Sequence, residues 1–308
     1  MCSIPWPWSF FHPSHLYSRL FHAPLESVQA GLFYMEEKQQ SYAHAPFATC
    51  VSRPYPTISV VIPARNEAFN LRHVLPFIPM EVTEVILVDG HSSDDTIAEA
   101  QRLRPSIRVI QQTGWGKGDA LRIGFTVSTG DIIVMLDADG STDPSEIPYF
   151  VAALMRGNDF AKGSRFLKGG GSSDITTVRH WGNAFLRSLV NLLFRSRFSD
   201  LCYGYNAFWR DCLDTIVIDC DGFEVETLLT LRMLTAKLKI VEVPSFEDPR
   251  IHGNSNLHAF RDGWRILCAI LHEWFTSKTA RLDVQATYSR MLLLRPGISY
   301  PLLDDLEK

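Results

Sequence analysis

An α/β fold with a mostly parallel central sheet flanked by helices is the architecture the sequence predicts, from three observations. Apolar, β-branched runs alternate with amphipathic segments from Thr57 onward. The connections between them are short. Several of the runs stop abruptly at an acid or a polar cluster. Strand–helix alternation with short links is the mark of a parallel α/β sheet. Nearly continuous apolar strands suit a sheet covered on both faces. A chain of 308 residues, 46% of them hydrophobic, can bury a substantial core. One main domain with extensions fits better than two independent domains.

The elements follow in order. Residues 58–62 form an apolar run that ends at Pro63, and Ala64-Arg-Asn-Glu67 follows at once. This reads as a buried strand opening into a loop. A helix is expected over 70–77. The second strand, 84–88, ends in Asp89 and Gly90, and a capping stretch leads into a helix over 96–103. The third strand, 107–111, precedes Gly116-Lys-Gly118, a flexible glycine-flanked lysine at the start of a helix over 117–127. The fourth strand, 132–136, runs into Asp137 and Asp139, and a helix is expected over 144–155. A further short strand is expected at 159–163. Residues 167–174 read as a mobile glycine-rich linker, and a helix runs from Arg179 to about residue 194. Residues 258–276 share several aromatic residues on one helical face. That face either packs on the domain or lies against a bilayer.

The chemistry concentrates at the strand ends. Alternate residues of a strand share a face, so Asp137 and Asp139 point the same way if extended geometry persists. Side by side, two carboxylates repel, and a cation between them relieves the repulsion. Mg²⁺ or Mn²⁺ takes oxygen ligands, and a diphosphate completes the shell. The plain alternative is an Asp-rich turn after a strand. Open α/β sheets bind ligands beyond the carboxyl ends of their strands. Acids at several strand ends and one Gly-Lys turn therefore suggest a nucleotide diphosphate site with a metal.

Other classes fit less well. The formal net charge of −4 gives no sign of a nucleic-acid partner. Six cysteines, at 2, 50, 202, 212, 220 and 268, form no Cys-x-x-Cys pair and no zinc spacing. They read as reduced thiols of a cytoplasmic protein. No run of about 18 apolar residues predicts a membrane span. The arm 1–56 is rich in aromatic residues and proline and is expected to be poorly ordered, with helical stretches around 25–40. A translation start at Met35 would remove most of it.

Pro63-Ala-Arg-Asn-Glu67, Val88-Asp-Gly-His-Ser-Ser-Asp94, Gly116-Lys-Gly118, Asp137-Ala-Asp139 and Gly163-Ser-Arg165 occur in the order and spacing of family 2 glycosyltransferases. The chain resembles the dolichyl- or polyprenyl-phosphate hexosyltransferase branch over about residues 57–260, with 261–308 as a C-terminal helical extension and tail. The resemblance implies a GT-A fold, a nucleotide-sugar donor, Mg²⁺ or Mn²⁺ on Asp137 and Asp139, and inversion at the anomeric centre. It places Pro63, Ala64, Arg65, Glu67, Asp89 and Lys117 with the donor. Arg250, in a segment resembling an Arg-x-x-Gly-x-Ser loop, would close over the diphosphate. Arg165 and Arg179 match the arginines that bind the acceptor phosphate; ordinary ion pairs are the alternative reading of both. Asp200 faces the donor sugar or caps a turn. Of the acids in Gly222-Phe-Glu-Val-Glu, Glu226 is favoured over Glu224 as the one facing the site.

Three departures stand out. Arg65 replaces a tyrosine of the branch, Gly90 replaces a second aspartate, and Gly140-Ser141 replaces Leu-Gln. The last leaves Ser141 as a hydroxyl candidate at the metal. The expected activity is transfer of a hexose to a polyprenyl phosphate, with peripheral membrane contact. A soluble hydroxyl or amine acceptor is the alternative, with Glu226 or Asp200 as base. A non-catalytic nucleotide-sugar sensor fits poorly with an intact acid pair.

Overall fold

The computed structural model describes residues 55–253 and 257–294, with 278–294 as backbone only. The expectations for the arm before residue 55, including its helical stretches and the start at Met35, lie outside the described residues.

Among the described residues nine strands form in chain order: β1 (Ile58–Ala64), β2 (Glu84–Asp89), β3 (Arg108–Gln111), β4 (Ile132–Met135), β5 (Phe160–Ser164), β6 (Gly171–Ser172), β7 (Asn206–Trp209), β8 (Ile240–Pro244) and β9 (Phe246–Glu247). Seven build the main sheet in the order β3-β2-β1-β4-β7-β5-β8. Its pairings are parallel except those of β7, which is antiparallel to both β4 and β5. The small β6–β9 ladder is parallel and separate. The sheet is thus mostly parallel, as expected. The helices are α1 (Thr96–Leu103), α2 (Lys117–Val127), α3 (Ile147–Met155), α4 (Thr177–Phe194), α5 (Val225–Thr235) and α6 (Ala259–Leu294).

Both faces of the sheet are covered. Ile58, Val60 and Ile62 of β1 join one apolar layer with Phe150 and Val151 of α3. Val61, from the opposite face, packs with Leu121 and Phe125 of α2 and Val225 and Leu229 of α5. This explains why β1 is apolar at every position from 60 to 62. A third layer joins Leu186 and Val190 of α4 to Ile266 and Ile270 of α6.

Several boundaries differ from expectation for physical reasons. Residues 70–77 form two short 3₁₀ turns, Asn70–His73 and Leu75–Phe77, rather than one helix. Pro76 has no N–H for an α-helical bond and disfavours helical geometry at Leu75. The segment 167–174 is an ordered link rather than a mobile one. It contributes β6, and Ser173 donates its N–H to the Glu247 carbonyl at 2.9 Å. Helix α4 starts at Thr177, two residues before Arg179, because the Thr176 hydroxyl caps it by accepting from the Arg179 N–H.

The glycines around Lys117 serve close packing rather than flexibility. A Cβ on Gly118 would come within 2.3 Å of the Cys220 carbonyl oxygen, and Gly118 donates its N–H to the Asp221 carbonyl at 2.9 Å. Gly116 adopts φ +94°, a conformation that favours glycine. The first turn of α2 is thereby clamped against residues 220–222. Gly118→Ala should lower stability by about 1–3 kcal/mol, because backbone must move to admit the methyl group. Urea unfolding of the variant beside the wild type checks this; equal midpoints would contradict the clamp.

Candidate active site

The order of the sheet reverses direction at β1, with β2 on one side and β4 on the other. A crevice forms beyond the carboxyl ends of these strands, the place where open α/β sheets bind ligands. A cavity of about 420 Å³ occupies it. Pro63, Ala64, Arg65 and Glu67 from the end of β1 line the cavity. So do Lys117 at the start of α2, Asp137 and Asp139 beyond β4, and Arg250 after β9. Four separate stretches of sequence thus meet in one place.

The floor of the site is a three-membered charge cluster. Lys117 Nζ lies 2.6 Å from Asp137 Oδ1 and 2.6 Å from Glu226 Oε1. Burial disfavours the ammonium, but the two carboxylates outweigh it and hold the Lys117 pKa above its ordinary value. Burial pushes the Asp137 carboxyl up, with Lys117 opposing and Asp139 and Glu226 adding to the rise. Gly204 makes room for this cluster: a Cβ there would sit 2.8 Å from Asp137 Oδ2, Glu226 Oε1 and Lys117 Nζ. Glu226 therefore enters the charge cluster, whereas Glu224 pairs with Arg265 at 2.9 Å.

A second cluster joins Asp139 to the β1 loop. Arg250 donates through Nη1 to Glu67 Oε1 at 2.9 Å, and the same nitrogen lies 3.5 Å from Asp139 Oδ2. Its Nη2 also contacts Glu67 Oε1. Asn70 donates to the other Glu67 oxygen at 2.5 Å. Burial pushes the Glu67 carboxyl up to about 7, against the Asn70 and Arg250 contacts that lower it; Asp139 and Asp137 raise it further. Ser141 stands behind Asp139, donating its N–H at 3.0 Å and its hydroxyl at 2.7 Å to Asp139 Oδ1. That arrangement orients the carboxylate.

The donor set suits a hard divalent cation. Asp137 and Asp139 supply two carboxylates on one cavity wall, and no group of three or more His, Cys, Asp or Glu residues among the described residues makes a closed metal cage. Mg²⁺ and Mn²⁺ are commonly held by one or two carboxylates together with substrate phosphates and water. The pair fits such a shared site.

Asp89 lies at the end of β2, buried, with Oδ2 accepting from the Ser92 N–H and Oδ1 lacking a partner among the described residues. Arg165 and Asp200 stand elsewhere. Arg165 is 4% exposed and Asp200 is fully buried. Nε and Nη2 of Arg165 fork onto the two Asp200 oxygens at 2.7 and 3.0 Å. Nη1 binds Glu247 Oε2 at 3.0 Å, and Nη2 also binds the Cys202 carbonyl at 2.9 Å. Neither residue lines the cavity. This placement departs from the expectation of an arginine on the acceptor phosphate and an aspartate on the donor sugar. Every guanidinium nitrogen of Arg165 is already committed. Arg179 is partly exposed, 2.8 Å from Asp174 and 3.6 Å from Glu247, and also lies outside the cavity lining. His252 is an exposed loop residue whose ring is tilted against those of Phe69 and His73, with centroids 5.7 and 6.2 Å away.

The sequence reading passed over several lining residues, among them Gln112, Trp115, His258, Arg261 and Arg265. The signal for the two arginines was present: 261 and 265 recur at helical spacing in the first turns of α6.

The chain belongs to the family 2 glycosyltransferases. Residues 59–217, more than half of the chain, match the model of "Glycosyl transferase family 2". The low-salt glycan biosynthesis hexosyltransferase Agl6 of Haloferax volcanii is 32% identical over 68% of this chain and 52% of its own length. The dolichol-phosphate mannosyltransferase of Pyrococcus furiosus is 30% identical over 65% of this chain and 59% of its own. The chain therefore spans little more than half the length of these two relatives. Glucosyl-3-phosphoglycerate synthase from Mycobacterium tuberculosis, solved with Mn²⁺, uridine-diphosphate-glucose and phosphoglyceric acid, superposes with a TM-score of 0.57. It is 25% identical, covering 71% of this chain and 80% of that one. The GT-A fold is common to them.

Two outcomes follow from the geometry. Arg165→Ala leaves Asp200 and Glu247 as uncompensated buried charges, so stability should fall by about 3–5 kcal/mol. Denaturant unfolding measures this; a loss of under 1 kcal/mol would mean the network is not formed. Gly204→Ala should scatter the Lys117 cluster, because the atoms it meets are the free ends of side chains. Nucleoside diphosphate binding by calorimetry should weaken while the thermal midpoint stays close to that of the wild type.

Proposed function

We propose that this chain is a metal-dependent, inverting hexosyltransferase that carries a sugar from a nucleotide-sugar to a phosphate-bearing acceptor, in the first instance a polyprenyl phosphate. The observation that carries the reading is the cavity beyond the strand ends where Asp137, Asp139, Lys117 and Arg250 meet. Two acids for a cation and two cationic side chains suit a diphosphate leaving group. Pro63, Ala64 and Arg65 of the lining form the nucleoside side, with Asp89 buried behind them at the end of β2, its Oδ1 without a partner among the described residues.

As the bond from the sugar to the diphosphate breaks, negative charge grows on the leaving oxygen. A divalent ion on Asp137 and Asp139 would neutralise it as a Lewis acid. Lys117 and Arg250 hold positive charge at fixed positions beside that oxygen's path, which is the preorganised stabilisation that lowers such barriers. Ser141 and Glu67 fix the orientation of Asp139 and Arg250. A phosphate acceptor is already anionic at neutral pH, so it needs orientation more than deprotonation.

The lipid-linked acceptor is supported by the name of the Pyrococcus furiosus relative and by two exposed apolar stripes. Val178, Trp181, Phe185 and Leu192 project from α4, and Phe260, Trp264 and Phe275 from α6. Aromatic side chains of this kind favour a bilayer interface. Among the described residues no helix is long and apolar enough to cross a membrane. The contact we propose is a peripheral one made by these two stripes. A soluble phosphate acceptor is the second reading, favoured by the likeness to the structure containing phosphoglyceric acid.

A panel of nucleotide-sugars with Mg²⁺ or Mn²⁺, offered with a polyprenyl phosphate, tests the proposal. Transfer should require the metal. Asp137→Asn and Asp139→Asn should each reduce it by a hundredfold or more, on the order of 3 kcal/mol of lost transition-state stabilisation, while circular dichroism stays unchanged. Full activity of both variants in EDTA would sink the metal reading.

A further inference from the structure

We propose that Arg261 and Arg265 of α6 form the clamp that holds the phosphate group of the acceptor, with Glu224 as a positioning residue for Arg265. The inference rests on the reading of the acceptor as a phosphate monoester, and it moves the phosphate contact away from Arg165.

The two arginines are four residues apart, so they lie on one face of the helix. Both line the cavity that holds Asp137 and Asp139. Their commitments are slight. Arg265 gives one nitrogen, Nη2, to Glu224 Oε1 at 2.9 Å, and its side chain is 47% exposed. Among the described residues Arg261 has a single charged contact, 3.3 Å from Nε to its neighbour Asp262, and its side chain is 65% exposed. Each guanidinium therefore keeps free N–H groups in a fork, the geometry that matches phosphate oxygens. Arg165 has a single N–H left, on Nη1, and is buried outside the cavity lining.

The site around Arg265 is built. A Cβ on Gly222 would come within 2.8 Å of Arg265 Cζ, so the bare glycine lets the guanidinium lie against the backbone. Glu224 is buried, accepts the Gly222 N–H at 3.2 Å, and holds Arg265 from below. The same first turn of α6 is fixed by Asp262, which is 2% exposed and accepts the His258 N–H at 2.7 Å.

Charge explains why a second clamp is required. Lys117 and Arg250 are matched by Asp137, Glu226, Glu67 and Asp139 within the donor half of the cavity. A phosphate monoester entering beside a diphosphate would be repelled unless it met its own positive charge. Arg261 and Arg265 supply it. One oxygen of the acceptor phosphate then forms the new bond to the sugar's anomeric carbon. The bond from that carbon to the diphosphate breaks, and its electron pair leaves with the nucleoside diphosphate. The clamp holds the remaining phosphate oxygens.

The test varies donor and acceptor separately on the full chain, with two acceptors: a short polyprenyl phosphate in detergent and 3-phosphoglycerate. Arg261→Ala and Arg265→Ala should each raise the KM for whichever phosphate is used by roughly ten- to a hundredfold. Donor KM and nucleoside diphosphate binding by calorimetry should not change. Glu224→Gln should raise the same acceptor KM by a smaller factor, and Arg265→Lys should recover only part of the loss. The better acceptor identifies whether the phosphate is lipid-linked or soluble. If a phosphate acceptor works but the arginine variants keep the wild-type KM, or lose nucleoside diphosphate binding to the same degree, the clamp is wrong and the proposed reaction stands. If the wild type glycosylates only neutral hydroxyl acceptors, the reaction and the clamp both fall.

Discussion

One ammonium group ties the site together. Lys117 stands between Asp137 and Glu226, and each of the three residues comes from a different element. Without the lysine, two partly buried carboxylates would face one another with no countercharge, and their repulsion would push apart the end of β4 and the first turn of α5. The surrounding sequence exists to keep the lysine there. Gly116 and Gly118 let the start of α2 press on residues 220–222, which fixes where the lysine originates. Gly204 leaves the space in which all three side chains meet. A small number of positions without side chains thus sets the electrostatics of the whole crevice.

A second ionic assembly supports the first from beneath. Arg165, Asp200 and Glu247 are buried, and Ser172 adds a hydrogen bond to Glu247 at 2.5 Å. Glu242 accepts the N–H groups of Ser199 and Asp200 at 2.9 and 3.2 Å. These contacts connect β5, the 199–203 loop and the β6–β9 ladder. Buried ion pairs give modest net stability, but losing one partner is costly. Their effect here is to hold the loop that carries Gly204, and through it the Lys117 cluster.

The sheet was legible because its strands are apolar on both faces and end in abrupt polar switches. β1, β2 and β4 could be read from Val60-Val-Ile62, Ile86-Leu-Val88 and Ile132-Ile-Val134 with no structural information. The convergence of Pro63, Arg65, Glu67, Asp137 and Asp139 on one cavity followed from those ends, since topology brings strand ends together. Other parts were hidden. β7 has four residues, and its pairing with β4 and β5 depends on partners far away in sequence. The break in the expected helix at 70–77 turned on Pro76. Arg165 was misplaced because a guanidinium beside a Gly-Ser turn looks the same in sequence whether it faces solvent or an internal Asp200. Arg261 and Arg265 are hidden in sequence because Phe260 and Trp264 directly precede them, and a pattern of alternating aromatic and basic residues does not say which of the two meets a cavity.

The antiparallel strand in the middle of the sheet has a mechanical meaning. Strands β3, β2, β1 and β4 form one parallel block, and β5 with β8 forms another. The blocks share no direct ladder; β7 is the seam, four residues long, hydrogen-bonded to each. Seam formation requires residues 132–135 to find 206–209 across a long stretch of chain, a closure that is slow compared with local pairing. Asp137 and Asp139 follow the last strand of the first block, while α5 and α6 follow the seam in sequence. Among the described strands of the main sheet β7 alone reverses direction, so four residues carry the register from the block that ends in those acids to the other.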